Sequence, residues 1–428
     1  MVAPVTTPPV ATDVSAIQRR TVRLLFTTQV IGGVGVAIGI AVGALLAAHL
    51  AGTGLSGVAQ SCAVIGGAVI VLPVTRLMRA RGRRPGLALA YGFGAVGAVI
   101  VVAAAATEFV PLLFLGMFCF GGGTAANLQA RYTAVDLAEP ARRGRQLSLV
   151  VWATTIGAVA GPNLAPLAGS AVAPFNLPRL SGPFAFSAIA FALAAVVLLV
   201  FLRPDPLLVS RTLAAPEGST EPAAAGGAGM RDAVRVVLAT PAARLGIAGV
   251  AIGHLVMVGV MSMTPVHIGF THNAADTLRI VGVVLSLHIA GMYAFSPLVG
   301  VLTDKIGRRP VILLGITVLL VACAVAGTSG DDTPRLAVGL ALIGLGWSGT
   351  MVAGSTLLSE SVPVSVRPAA QGLSDAVMGV AGATGGALSG VVVQASGFPT
   401  LTLLAAIATV PVVALALRTR GPVLREGV

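Results

Sequence analysis

Charge is what this chain has least of. Of its 428 residues only 10% are Asp, Glu, Lys or Arg, lysine occurs once, at Lys305, and aromatic residues amount to 4%. That is too little charge to cover the surface of water-soluble domains of this total size. Cysteine is also scarce. Its three copies, Cys62, Cys119 and Cys323, all fall inside apolar runs, so no disulfide framework is expected and each reads as a small buried residue. Acidic residues number 15 against 27 basic ones, a net charge of +12. The arginines fall in alternate loops rather than in one patch, which argues against nucleic acid as a partner. No cleavable leader is expected, because the first segment is polar and reads as a tail.

What is abundant is apolar residues, 56% of the chain, in recurring runs of twenty or more. The fold class expected is an all-α polytopic membrane protein. Hydropathy gives twelve spans: 23–49, 55–78, 86–107, 110–137, 147–171 and 182–202, then 244–269, 278–303, 309–328, 336–359, 369–393 and 399–417. They form a six-helix bundle over 23–202 and a second over 244–417, with tails at 1–22 and 418–428. The stretch 203–243 between them, rich in Pro, Gly, Ala and Glu, reads as a linker with an amphipathic helix at Met230–Leu238.

The arginines set the orientation. Arg76 to Arg84, Arg142 to Arg145, Arg203 to Arg244, Lys305 to Arg309 and Arg418 to Arg425 mark one side, whereas the opposite loops carry Arg179, Arg279 and Arg335. By the positive-inside rule both termini are cytoplasmic. Gly-Arg-Arg-Pro occurs at 82–85 and again at 307–310, each just after the second span of its half. Acidic Asp136 and Glu360 close the fourth spans at nearly the same offset. An internal duplication follows.

The loop Gly300-Val-Leu-Thr-Asp304-Lys305-Ile-Gly307-Arg308-Arg309 resembles the signature loop of the major facilitator superfamily, and the resemblance extends to the twelve spans and the central linker. It implies two bundles that rock about a central site. It also implies that Asp304, Lys305, Gly307, Arg308 and Arg309, with Glu360, form a gate whose ionic bonds break and reform. The first-half copy has lost the family's Gly and Asp to Thr75 and Arg79 and keeps Gly82, Arg83 and Arg84. Asp136 with Arg83 is then what remains of that gate, and Arg131 snorkels or pairs with Asp136. Gly157-Ala-Val-Ala-Gly161-Pro162 resembles part of the antiporter motif of drug exporters, although small-x-x-x-small spacing also serves plain helix packing.

Intramembrane polar groups point to substrate. Glu108, Asp136, Asp304, Glu360 and Asp375 map to or near span ends, which disfavours organic cations. The centre offers Gln29 and Asn127 and a set of soft ligands. Met257 and Met261 share one face of the seventh span, and His288 and Met292 one face of the eighth. Counting at 1.5 Å per residue from the intervening loop, Met261 and His288 lie roughly 13–16 Å deep and Met257 and Met292 roughly 20–22 Å. Thioethers with an imidazole suit Cu(I); ordinary methionine packing yields the same pattern. His254, Met263 and His267 are candidates for a metal relay or proton site, with His272 beyond them.

The paired Met-x-x-x-Met and His-x-x-x-Met motifs are similar to those of CcoA-like copper importers of the same superfamily. That resemblance implies Met257, Met261, His288 and Met292 as metal ligands. It also implies copper import across a bacterial inner membrane for cbb3-type cytochrome oxidase assembly. Copper is then cargo, with no permanent cofactor. The partners expected are the copper ion, the lipid bilayer and cytoplasmic copper chaperones or exporters, with the protein a monomer and not an enzyme. The alternatives are a proton-coupled exporter of neutral or amphiphilic molecules, a riboflavin-like importer, and a scaffold or sensor that keeps the fold without transport.

Overall fold

The computed structural model describes residues 14–138, 143–214, 230–363 and 366–418. The described residues are helical almost throughout, and eleven helices among them are long and apolar enough to cross a membrane. The first six are α1 (Val14–Ala51), α2 (Thr53–Arg81), α3 (Arg83–Thr107), α4 (Val110–Thr133), α5 (Arg143–Ala171) and α6 (Gly182–Phe201). Two short helices follow, α7 (Pro206–Ala214) and α8 (Met230–Ala239), the second where the amphipathic stretch was expected. The second half comprises α9 (Pro241–Gly269), α10 (Ala274–Tyr293), α11 (Ser296–Ile306), α12 (Arg308–Gly327), α13 (Thr333–Ser361), α14 (Arg367–Ile407) and α15 (Val410–Arg418).

The sequence punctuates these helices. Asn273 caps α10 by accepting the N–H groups of Ala275 and Asp276, and Asp332 caps α13 by accepting that of Arg335. Several boundaries differ from expectation: α1 begins at Val14, inside the stretch expected as a tail, and the twelfth span is broken after Ile407. The span predicted at 278–303 is broken after Tyr293 into α10 and α11, because Pro297 cannot donate to the carbonyl four residues back. The fourth span ends at Thr133 rather than 137, and 134–137 form a turn that still presents Asp136. Spans eleven and twelve are joined in α14 through a kink at Gly397, whose φ of 81° suits a residue without a Cβ.

The duplication is visible in the backbone. Gly82 and Gly307 both adopt φ 94°, with ψ 176° and 160°, so the two Gly-Arg-Arg-Pro turns have one geometry. One apolar core fills the first bundle, around Tyr91, Phe120, Phe184 and Phe191. The core of the second bundle takes in Ile38, Ala41, Val42, Ala44, Ala165 and Ala168 from α1 and α5. Those six lie towards the arginine-poor ends of their helices, so the bundles share a core there.

Candidate transport site

The bundles meet along two seams, α2 on α14 and α5 on α10. In the first, a Cβ added at Gly57 would overlap the Gly386 carbonyl, and one at Gly390 would press on Thr53 and Gly54, so backbone touches backbone. Ser56 donates to the Met263 thioether at 3.3 Å and Ser61 to the Ala383 carbonyl at 2.6 Å. In the second seam Asn163 donates to Ser286 Oγ at 2.6 Å, and a Cβ at Gly282 would come within 3.0 Å of the Pro162 carbonyl. These contacts lie in the arginine-poor half of the helices. Gly157 and Gly161 pack on α1, against Val30, Gly33, Val34, Ala37 and Ile38, which brings Pro162 and Asn163 up to the seam.

The arginine-rich half is arranged differently. Arg83 forms a bidentate pair with Asp136 at 2.8 and 3.0 Å, within the first bundle. Arg308 pairs with Glu360 at 2.7 and 2.8 Å and with Asp304 at 3.5 Å, within the second. The expected remnant, Arg83 with Asp136, is therefore formed, and Arg131 is not Asp136's partner. Lys305 is exposed, and the Nε atoms of Arg309 and Arg131 are buried without a hydrogen-bond partner.

Between the halves lie the central polar residues. In the first bundle Tyr91 donates to Asn127 at 2.9 Å, and Gln29 donates to the Asn127 carbonyl and Thr154 Oγ1 at 3.2 and 3.1 Å. Gln29 is thereby tied to α4 and α5, and Asn127 Oδ1 to α3. In the second bundle Trp347 Nε1–H donates to His254 Nδ1 at 3.1 Å, and Tyr293 meets the Trp347 ring edge-on at 6.1 Å. Indole N–H only donates, so His254 holds its lone pair at Nδ1 and its proton at Nε2, facing Gly382. Sequence reasoning passed over Trp347, Tyr293 and Tyr91. In a chain with two tryptophans and three tyrosines, an aromatic in mid-span was the available signal.

The soft-ligand residues take these places. His288 is fully buried and donates Nδ1–H to the Leu340 carbonyl of α13 at 2.8 Å; its Nε2 lone pair has no partner. Met257 and Met292 are buried members of the second core, with Met261 packed against it. Met263 receives Ser56 across the seam, and His267 stacks on Phe398 at 4.4 Å with Nε2 3.1 Å from the Gly330 carbonyl. Met263 is thus tied into the seam, and His267 lies against the Phe398 ring. His272 bonds to Thr271 within its own loop at 2.8 Å. Among the described residues no three His, Cys, Asp or Glu side chains gather as a metal cage. The quartet contains one such residue, so its case rests on thioethers.

Known proteins frame this geometry. The Major Facilitator Superfamily profile matches residues 24–278 and 272–427. Two uncharacterised MFS-type transporters of Bacillus subtilis, YdeG and YddS, are each 37% identical, over 95% and 91% of this chain and 93% and 88% of theirs. The riboflavin transporter RfnT of Brucella anthropi is 27% identical over 95% of this chain and 96% of its own. Among solved structures, a bacterial homologue of the human lysosomal transporter Spinster, inward-facing and unoccupied, superposes with TM-score 0.71 at 14% identity, covering 94% of this chain and 96% of that one. The nucleoside transporter NupG gives 0.70 at 15% identity, covering 94% and 100%. Those two likenesses are of fold.

Proposed function

The chain belongs to the major facilitator superfamily, and we propose that it is a proton-coupled exporter of amphiphilic organic molecules, working by alternating access. One observation carries this reading: the stretch resembling the antiporter motif, Gly157 to Pro162, is built with the adjoining Asn163 into the closed seam. Its glycines let α5 lie against α1, and its Pro162 and Asn163 face Gly282 and Ser286 on α10. With the arginine-rich side taken as cytoplasmic, the outer half is sealed and the cytoplasmic ion pairs are internal to each bundle. That is the state in which an exporter loads from the cell. An exporter also needs this seal to be tight, since a leak there would dissipate the proton gradient.

The solute class follows from the aromatic pair between the two halves. Trp347 and Tyr293 supply aromatic surface, and the riboflavin transporter of similar length is a relative that handles an aromatic solute. The test is transport in inverted membrane vesicles with an imposed proton gradient, acid inside, and a fluorescent aromatic amphiphile outside. Accumulation that collapses with the gradient and is lost in Gly161→Leu supports export. Accumulation only in right-side-out vesicles overturns it.

Copper import is the second reading, favoured by His288. A ring whose Nδ1–H is fixed by a backbone carbonyl and whose buried Nε2 lone pair is free has the arrangement that metal-binding histidines use. In that reading Met257, Met261 and Met292 complete the site. Copper accumulation in cells expressing the protein, beside His288→Ala and Met261→Leu, tests it. Uptake that rises with the native chain and falls in both variants would put copper first.

A further inference from the structure

We propose that His254 on α9 carries the coupling proton and that Trp347 on α13 passes its arrival to the solute. Proton uptake at His254 Nδ1 releases the indole and takes apart the aromatic face on which the solute rests. This rests on the exporter reading above and assigns its proton to one atom.

His254 stands near the middle of α9, which runs from Pro241 to Gly269, so roughly 20 Å of helix lies on either side of it. α9 packs on both α13 and α14. The imidazole presents its Nδ1 edge to Trp347, whose Nε1–H donates to it at 3.1 Å with the ring centroids 6.2 Å apart. Its other edge faces α14, where a Cβ added at Gly382 would come within 2.8 Å of Cδ2 and 2.9 Å of Nε2. His254 keeps part of its surface open, whereas His288 is fully buried. Among the described residues no acid or base bonds to the His254 ring. On α10, Tyr293 stands behind Trp347 and His288 is turned to the Leu340 carbonyl. On α14, Asp375 shares the face of Gly382 but lies seven residues, or roughly 10 Å, along the helix. The charged residues of α1, α2, α12, α13 and α15 stand towards their helix ends, and α8 packs beside Ala243 and Ile247 near the start of α9.

The bond to Trp347 requires an unprotonated Nδ1, because an indole N–H has nothing to accept with. A proton taken up there turns the acceptor into a donor. Two N–H groups then face each other at 3.1 Å, and the indole has to leave. One proton enters from water, one hydrogen bond is lost, and no covalent bond changes. The indole that leaves is half of the edge-on pair with Tyr293, so the solute loses its aromatic support. Conversely, a solute stacked on Trp347 holds the indole in place and keeps Nδ1 occupied. Proton and solute thereby exclude each other through one side chain, and the exclusion acts equally in both directions. That is the coupling an antiporter needs: a proton from outside dismantles the site, and its release into the cell rebuilds it.

The chain has two tryptophans, Trp152 and Trp347, so Trp152→Phe leaves Trp347 as its own reporter. The experiment follows Trp347 fluorescence of that full-length protein in lipid nanodiscs from about pH 8 to about pH 4, the range around histidine titration. A single-proton curve is expected, because an imidazolium that has let go of the indole changes its emission. The curve should vanish in His254→Asn, whose Oδ1 stands where Nδ1 stood and accepts the indole N–H without titrating. At the alkaline end this variant should match the unsubstituted emission, which a misfolded protein would not do. In inverted vesicles, gradient-driven accumulation of the fluorescent amphiphile should fall in His254→Asn to the level seen without a gradient. Absence of a curve at His254, or a curve that persists in His254→Asn, overturns the proposal. So does a curve lost in Asp375→Asn and kept in His254→Asn, since the proton would then sit on that carboxylate. Gradient-driven accumulation by His254→Asn at the native level overturns the carrier role. If the native chain accumulates nothing, the exporter reading falls, and the fluorescence curve still decides the proton switch.

Discussion

The two halves of the bundle interface are built from opposite materials. The arginine-poor half is built mainly of glycine and serine, with backbones in contact at Gly57–Gly386 and Gly282–Pro162. The arginine-rich half holds long charged side chains, of which Arg83 with Asp136 and Arg308 with Glu360 are paired inside their own bundles. Small residues make a seam that is either fully in contact or open, since backbone cannot deform gradually. Long ionic side chains reach over several ångströms and exchange partners. One half of the interface thereby acts as a seal and the other as an adjustable mouth, which is the asymmetry an alternating-access cycle needs.

The largest effect is expected from forcing the seal. Gly57→Leu places a side chain where the Gly386 carbonyl lies, and overpacking of this kind costs ~1–3 kcal/mol. Applied to one state of a two-state protein, that is a ~5- to 150-fold shift away from the sealed form. Transport should fall to background while the protein stays monodisperse, and a cysteine at Ser61 should become accessible to an impermeant thiol reagent from outside. Unchanged accessibility would mean that the seam is not the element that moves.

The ion pairs sharpen the inner side. Arg83 and Asp136 retain only 16% and 10% of their side-chain exposure, against 28% and 50% for Arg308 and Glu360. Breaking a shielded pair leaves a charge stranded, at ~3 kcal/mol, whereas a half-exposed pair is worth ~1 kcal/mol or less. Arg83→Ala should therefore lower the melting temperature markedly more than Arg308→Ala. Transport should respond in the opposite order, because Arg308 serves two acids, Glu360 and Asp304, and has more partners to exchange. A variant pair with equal melting temperatures would remove the distinction between a structural and a gating pair.

A milder loosening of the seal is Asn163→Ala, which deletes the bond to Ser286. A net loss of ~1 kcal/mol shifts the equilibrium ~5-fold, so thiol accessibility at position 61 should rise measurably without abolishing transport.

How much of this was legible beforehand differs by region. The spans were readable because twenty apolar residues in a row have few soluble uses, and the duplication because Gly-Arg-Arg-Pro needs the same left-handed glycine twice, at 82 and 307. Arg83 with Asp136 followed from the resemblance of the first-half loop to the superfamily's signature loop. The sealed seam was not readable. Gly57, Gly386 and Gly390 are three glycines among 54, and nothing local says which of them meets another helix. The place of His288 was half readable: its depth follows from counting, but its turn towards the Leu340 carbonyl depends on α13 packing beside α10.

The smallest expected effect bears on the methionines. Met257 and Met292 lie in the apolar core of the second bundle and Met261 packs against it. Methionine to leucine is a nearly volume-conserving exchange, costing less than ~1.5 kcal/mol, and it removes the sulfur while keeping the packing. Under the exporter reading Met257→Leu and Met261→Leu should leave solute transport within ~2-fold of the native rate and cellular copper unchanged. Under the copper reading each exchange deletes a ligand, and metal accumulation should fall while packing and melting temperature stay put. The same two variants therefore separate a core that merely contains methionine from one that uses it, because only the second depends on the sulfur atom.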